Sequence, residues 1–126
     1  MQKHVNKKVL AVVSDLFFVA KISEAARRAG VTVDYVTEEK AALEHAKSLP
    51  MVIILDLNFD AVHPLRLIGK LKADAGTKSI SVIGYLSHVQ GELKQQAHES
   101  GCDMVMPRSA FSLNLPQILK RHAGTL

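Results

Sequence analysis

The chain has 126 residues, of which 48% are hydrophobic and 22% charged, so its composition predicts one soluble folded domain over residues 1–126 and excludes a disordered protein. The net charge is +4, but the 16 Lys and Arg residues are spread along the chain, and apolar runs such as VLAVV and MVIIL are far too short for a bilayer. Neither nucleic-acid binding nor membrane insertion is therefore favoured. The single cysteine, Cys102, excludes an internal disulfide and a thiolate metal cluster. With no signal-peptide pattern at the N-terminus, this favours the cytoplasm.

The first part of the chain predicts two strands, each followed by a helix. KVLAVVSD is a β-rich run that ends in Asp15, and the apolar residues of Leu16–Ala29 then recur at helical spacing until Gly30. VTVDYVT alternates and predicts a second strand. Thr37 is the predicted N-cap of a helix over residues 37–47.

The rest of the chain predicts three further units of the same kind. MVIILDL is a buried third strand, followed by the loop NFDAVH and a helix that begins at Pro64. SISVIGYL is a fourth strand, in which Gly84 indicates a bulge or a close approach by a neighbouring group, and residues 89–100 form a helix ended by Gly101. DMVM is a short fifth strand, and Asn114 is the predicted N-cap of the last helix.

Five strand–helix units of this kind predict an α/β fold. The expected architecture is a three-layer, doubly wound, five-stranded parallel sheet with the flavodoxin-like order 2-1-3-4-5. In this order strands 1 and 3 are neighbours, and Asp15 and Asp56 end them. Two adjacent carboxylates repel, and a hard cation such as Mg²⁺ relieves the repulsion. The alternative is that both acids only cap strand ends or accept hydrogen bonds from nearby backbone groups.

Several segments resemble the receiver domain of response regulators, the CheY-like family. ILDLNFDAVHPLRLIGKLKAD, SVIGYL and ELKQQAHESGCD follow that family's order without a gap, and the resemblance covers nearly the whole chain. It implies that Asp56 is a phosphoacceptor, the nucleophile toward a phosphoryl group. It also implies a Mg²⁺ site formed by Asp15, Asp56 and the backbone carbonyl of Asn58.

Other positions depart from the family pattern. Ser14 stands where a further acid is expected, and Leu86 stands where a switch hydroxyl is expected. Ser87 replaces that hydroxyl only if a bulge shifts the register. Arg108 occupies the position of a lysine, and its guanidinium still binds phosphate or carboxylate. The pattern is that of an atypical receiver or pseudo-receiver.

The resemblance implies a signal-transduction receiver module of the two-component phosphorelay type that acts through protein–protein interaction and is not an enzyme. Its implied partners are a sensor histidine kinase or phosphotransfer protein and a downstream protein. A homodimer is also implied, through the face that carries Lys94, Arg108, Lys120 and Arg121.

The sequence leaves two alternatives to this function. One is a phosphorylation-independent adaptor with the same fold. The other, a nucleotide- or flavin-binding protein, is disfavoured because no glycine-rich loop follows strand 1. His63 and His88, in the loops after strands 3 and 4, are further candidates for sensing the charge of the site.

Overall fold

A computed structural model describes residues 7–87 and 91–124. Within these residues the strands are β1 (Lys8–Val12), β2 (Thr32–Val36), β3 (Val52–Asp56), β4 (Val82–Leu86) and β5 (Met104–Pro107). The helices are α1 (Leu16–Ala29), α2 (Glu39–Ala46), α3 (Pro64–Ala73), α4 (Gly91–Ser100) and α5 (Arg108–Ala123), and a 3₁₀ turn at Asp60–Val62 precedes α3. None of the helices described is long and apolar enough to cross a membrane.

The strands form one parallel sheet in the order β2-β1-β3-β4-β5, which confirms the predicted order. Because neighbouring residues of a strand face opposite sides of the sheet, the core has two layers. One layer joins the sheet to α2, α3 and α4, and the other joins it to α1 and α5. The predicted three-layer architecture is therefore confirmed, and the carboxyl ends of β1 and β3 lie side by side.

Two predicted helix starts are wrong. The helix α2 begins at Glu39, after an extended Glu38 that makes no side-chain cap hydrogen bond, so Thr37 is not its N-cap. The helix α5 begins six positions before Asn114, because the extended Pro107 already directs the chain into the helix at Arg108. Asn114 lies inside α5, where its side-chain amide donates to the carbonyl of Ala110 at 2.8 Å. The predicted start of α4 falls on residues 88–90, which are outside the described residues.

Of the two interpretations of Gly84, the bulge is wrong and the close approach by a neighbour is confirmed. The register of β4 with β3 and with β5 is continuous on both sides of Gly84. A Cβ atom at this position would lie 2.9 Å from Cγ and Cδ1 of Leu57, which is buried directly after Asp56. The glycine therefore makes room for Leu57, and the unbroken register pairs Asp56 with Tyr85.

Candidate functional site

Asp56 ends β3 after four buried apolar residues. It is only 7% exposed, and its Oδ1 accepts a hydrogen bond from the Asn58 N–H at 2.9 Å. Burial raises the pKa of the Asp56 carboxyl above its usual range. The Asn58 N–H and the nearby Arg108 guanidinium oppose this rise in pKa, while the charges of Asp15 and Asp60 add to it. The Asp56 carboxylate is therefore costly to ionise in the folded chain.

Asp15 follows β1 and caps α1. Its Oδ1 accepts the N–H groups of Phe17 at 2.8 Å and Phe18 at 3.4 Å, and its Oδ2 accepts a hydrogen bond from Arg108 Nη2 at 2.6 Å. Burial alone would raise the pKa of Asp15, but these donors outweigh it and hold the pKa below the usual range. Asp15 therefore keeps its negative charge, and both of its carboxylate oxygens are engaged.

Arg108 is the first residue of α5, and the aromatic faces beneath it help to fix its guanidinium. The Cζ atom lies 4.9 Å from the centre of the Phe18 ring and 6.0 Å from that of the Tyr85 ring. Such stacking adds to the ion pair with Asp15. The phosphate-binding cation implied by the resemblance is thus paired with Asp15, while Arg108 still lowers the pKa of Asp56 through its charge.

An aromatic stack underlies the site, and sequence reasoning did not find it. The Tyr85 ring is fully buried and stacks on Phe18 at 4.7 Å and on Phe111 at 4.8 Å between ring centres. Among the described residues the Tyr85 hydroxyl has no hydrogen-bond partner. Burial and the neighbouring Asp56 raise the pKa of this phenol far above its usual value. An unbroken β4 register would have indicated this position, because it places Tyr85 opposite Asp56.

The predicted switch region differs from the expected arrangement. Leu86 packs in the core layer on the side of α2, α3 and α4, whereas Tyr85 packs on the side of α1 and α5. No bulge shifts Ser87, and its backbone N–H donates to Oδ1 of Asn58 at 2.7 Å. Asn58 therefore links the ends of β3 and β4 through its side chain, while its carbonyl accepts the Asp60 N–H at 3.1 Å.

The other predicted polar positions are less closely tied to Asp56. Ser14 is exposed beside Asp15. His63 has a φ of 49° and starts α3 without a side-chain cap hydrogen bond. His88 lies outside the described residues.

As they are arranged, the predicted Mg²⁺ ligands suit a metal ion poorly. The described part of the chain holds no group of three or more His, Cys, Asp or Glu residues able to bind a metal. Mg²⁺ requires several oxygen ligands with nearly ideal geometry. Both oxygens of Asp15, Oδ1 of Asp56 and the carbonyl of Asn58 already accept hydrogen bonds from the protein, so a metal ion would have to compete with these donors and with the charge of Arg108.

An apolar cleft of about 750 Å³ opens beside the site between the starts of α1 and α5. Its lining includes Phe17, Lys21, Arg108 and Leu113. Phe17 is 61% exposed and Leu113 is 81% exposed. Exposed apolar surface of this kind is typical of contact surfaces.

No protein-family model and no curated protein matches the chain. Several solved structures do match the chain. The response regulator RPA3017 of R. palustris is 14% identical, with 94% of this chain and 95% of that chain covered and a TM-score of 0.79. Chemotaxis response regulator CheY4 of Vibrio cholerae is 22% identical, with coverage of 91% and 97% and a TM-score of 0.77.

A third similar structure is the receiver domain of sensor histidine kinase PA1611 from Pseudomonas aeruginosa, which has a magnesium ion in its active-site cleft. It is 18% identical, with coverage of 93% and 97% and a TM-score of 0.78. The similarity spans nearly the full length of each chain. The protein therefore has the CheY-like fold of response-regulator receiver domains.

Proposed function

We propose that this protein is a receiver module of the two-component type, which carries a signal through protein–protein interaction and is not an enzyme. The observation that supports this most strongly is the placement of Asp56. Its carboxylate lies at the carboxyl end of β3 in a receiver fold, with Arg108 close enough to lower its pKa. Its proposed partners are a sensor histidine kinase or phosphotransfer protein, and a downstream protein, in the cytoplasm.

Asp56 is the proposed phosphoacceptor. In the transfer, a carboxylate oxygen of Asp56 attacks the phosphorus, an acyl phosphate forms, and the bond from phosphorus to the donor breaks. Asp56 Oδ1 is held by the Asn58 N–H, and Oδ2 accepts no hydrogen bond from the described residues. For Mg²⁺ to take part in this function, it would have to compete with Arg108 for the Asp15 carboxylate.

A phosphorylation-independent adaptor is the second candidate function. It is favoured by the apolar Leu86 at the expected hydroxyl position and by the pairing of Arg108 with Asp15. In this case exposed side chains such as Phe17 and Leu113 form a permanently available contact surface. A homodimer through the face that carries Lys94, Lys120 and Arg121 is compatible with either function.

Labelling by acetyl phosphate tests the first function. The protein is incubated with acetyl phosphate, with and without Mg²⁺, and its intact mass is measured. We expect a gain of one phosphoryl group that hydroxylamine removes and that Asp56→Asn abolishes. Asp60→Asn is the matched control, because Asp60 is an exposed carboxylate in the loop after β3 and should leave the labelling intact.

The absence of any mass gain in the folded wild-type protein would exclude the phosphoacceptor and leave the adaptor. Labelling that persists in Asp56→Asn would place the reactive group elsewhere in the chain.

A further inference from the structure

In this protein a positively charged side chain, Arg108, lies where a bound metal ion would supply positive charge. Arg108 Nη2 lies 2.6 Å from Asp15 Oδ2. The same guanidinium lies over the Tyr85 ring, with Cζ 6.0 Å from its centre, and Tyr85 is the register partner of Asp56 on the neighbouring strand. From this position its charge also lowers the pKa of the Asp56 carboxyl. One positive charge from the protein therefore acts on both carboxylates at the carboxyl ends of β1 and β3.

We propose that Arg108 replaces the divalent cation, so that this site works without Mg²⁺ or Mn²⁺. The proposal has two parts: Arg108 excludes a metal ion from the site described above, and Arg108 neutralises a phosphoryl group bound to Asp56. The second part rests on the proposed function. The first part, the exclusion of the metal by Arg108, holds whether or not Asp56 is phosphorylated.

The contacts of Arg108 explain why a metal ion cannot readily bind beside it. The guanidinium is held by the Asp15 carboxylate and by the faces of Phe18 and Tyr85, at the start of a helix that fixes its backbone. A divalent cation beside it would face a like charge. It would also have to compete for the Asp15 carboxylate with Arg108 and with the N–H groups that begin α1.

The Arg108 guanidinium is also suited to binding a phosphoryl group on Asp56. Its planar array of N–H donors binds two oxygens of a carboxylate or a phosphoryl group at once. Asp15 is bound through Nη2, and the guanidinium carries further N–H donors that we expect to bind an oxyanion on Asp56. A tethered cation can thus neutralise an acyl phosphate without a metal.

Mn²⁺ titration tests the proposal directly. Free Mn²⁺ is measured by electron paramagnetic resonance while it is added to wild-type protein, Arg108→Ala and Arg108→Gln. We expect wild type to bind at least about tenfold more weakly than either variant, within the usual range for two ligands that compete for one site. The gained affinity should disappear in Arg108→Ala/Asp56→Asn.

The matched control is Arg27→Ala. It removes an arginine–carboxylate contact of the same 2.6 Å length, to Glu24, on the exposed surface of α1. This variant should bind Mn²⁺ as weakly as wild type. Circular dichroism shows whether each variant is folded, and Arg108→Gln preserves a polar side chain of intermediate length if Arg108→Ala fails to fold.

Wild type that binds Mn²⁺ as tightly as the Arg108 variants would overturn the proposal, and so would folded Arg108 variants that gain no affinity. Acetyl phosphate labelling that requires Mg²⁺ would overturn it as well. A complete lack of labelling would instead contradict the phosphoacceptor function and leave the metal result to be decided by the Mn²⁺ titration.

Discussion

Asp15 and Asp56 are the same chemical group in two different environments. The pKa of Asp15 is lowered by helix-capping N–H groups and Arg108, and the pKa of Asp56 is raised above all by burial. A lowered pKa means that ionised Asp15 stabilises the folded chain above the usual aspartate pKa, and that this contribution is lost as the pH falls. For Asp56 the sign is opposite, since the folded chain binds its proton more tightly than the unfolded chain does. The stability that protonated Asp56 contributes is therefore lost as the pH rises from the ordinary aspartate pKa through the raised pKa of Asp56.

Asp56→Asn should therefore stabilise the protein at neutral pH. The amide keeps an oxygen for the Asn58 N–H and removes the buried charge. We expect a gain on the order of 1 kcal/mol in the free energy of unfolding at about pH 7, which shrinks as the pH approaches the usual aspartate pKa of ~3.9. Urea unfolding at several pH values measures it. Asp60→Asn is the control. It removes an exposed charge that is the smallest of the causes raising the pKa of Asp56, so its gain should be clearly smaller. An equal gain in Asp56→Asn at every pH would contradict the explanation for Asp56.

The Tyr85 hydroxyl is a second buried polar group that lowers the stability of the folded chain. Tyr85→Phe removes an oxygen that has no hydrogen-bond partner among the described residues and keeps the stack with Phe18 and Phe111. We expect the free energy of unfolding to stay the same or rise by about 1 kcal/mol.

Tyr35→Phe is the contrasting variant for the same denaturation experiment. The Tyr35 hydroxyl donates to the carbonyl of Val19 at 3.0 Å and also contacts Ser23 Oγ. Its removal should cost about 1 kcal/mol. A comparable loss in Tyr85→Phe would show that the buried phenol does have a partner in solution.

At the scale of single elements, β4 depends on a side chain from the loop after β3. Leu57 occupies the space where Gly84 lacks a Cβ atom. The close approach lies beside the candidate site, because Leu57 follows Asp56 directly and Gly84 precedes Tyr85, the register partner of Asp56. Glycine is thus required here for packing rather than for an unusual φ.

Gly84→Ala should destabilise the protein by about 1–3 kcal/mol, the usual cost of overpacking a filled core. Gly69→Ala is the matched control: Gly69 lies inside α3, and a Cβ there has no neighbour within 4 Å. That change should raise the free energy of unfolding by up to about 1 kcal/mol through helix propensity. Thermal unfolding of both variants measures the contrast, and a Leu57→Ala change should partly restore Gly84→Ala. An equal effect of the two alanines would argue against the packing role of Gly84.

For the whole molecule, the strand order was predictable and some helix boundaries were not. Apolar strands that alternate with helical spacing leave few arrangements for a chain of this length, and the predicted order 2-1-3-4-5 is confirmed. Asn114 was misread because N-cap preferences are local. An asparagine inside a helix can also donate to the carbonyl four residues earlier, and Pro107 had already determined where the helix starts.

The candidate site was predictable only in part. The neighbouring strand ends that carry Asp15 and Asp56 follow from the strand order. The partner of Arg108 does not, because an arginine at this place can reach more than one carboxylate, and the choice depends on how α1 and α5 pack. The two interpretations of Gly84 could not be separated from the sequence, since a glycine in a strand fits a bulge as well as it fits a close contact.

The ion pair between Asp15 and Arg108 joins residues 93 positions apart. Closing so long a loop costs chain entropy, and the contact can form only after the first and the last strand–helix units have packed against the same sheet. A shortened chain that ended before α5 would keep both carboxylates but lose the positive charge that acts on them. The electrostatic balance of the site is therefore a property of the completely folded chain, and no single unit of the fold can establish it alone.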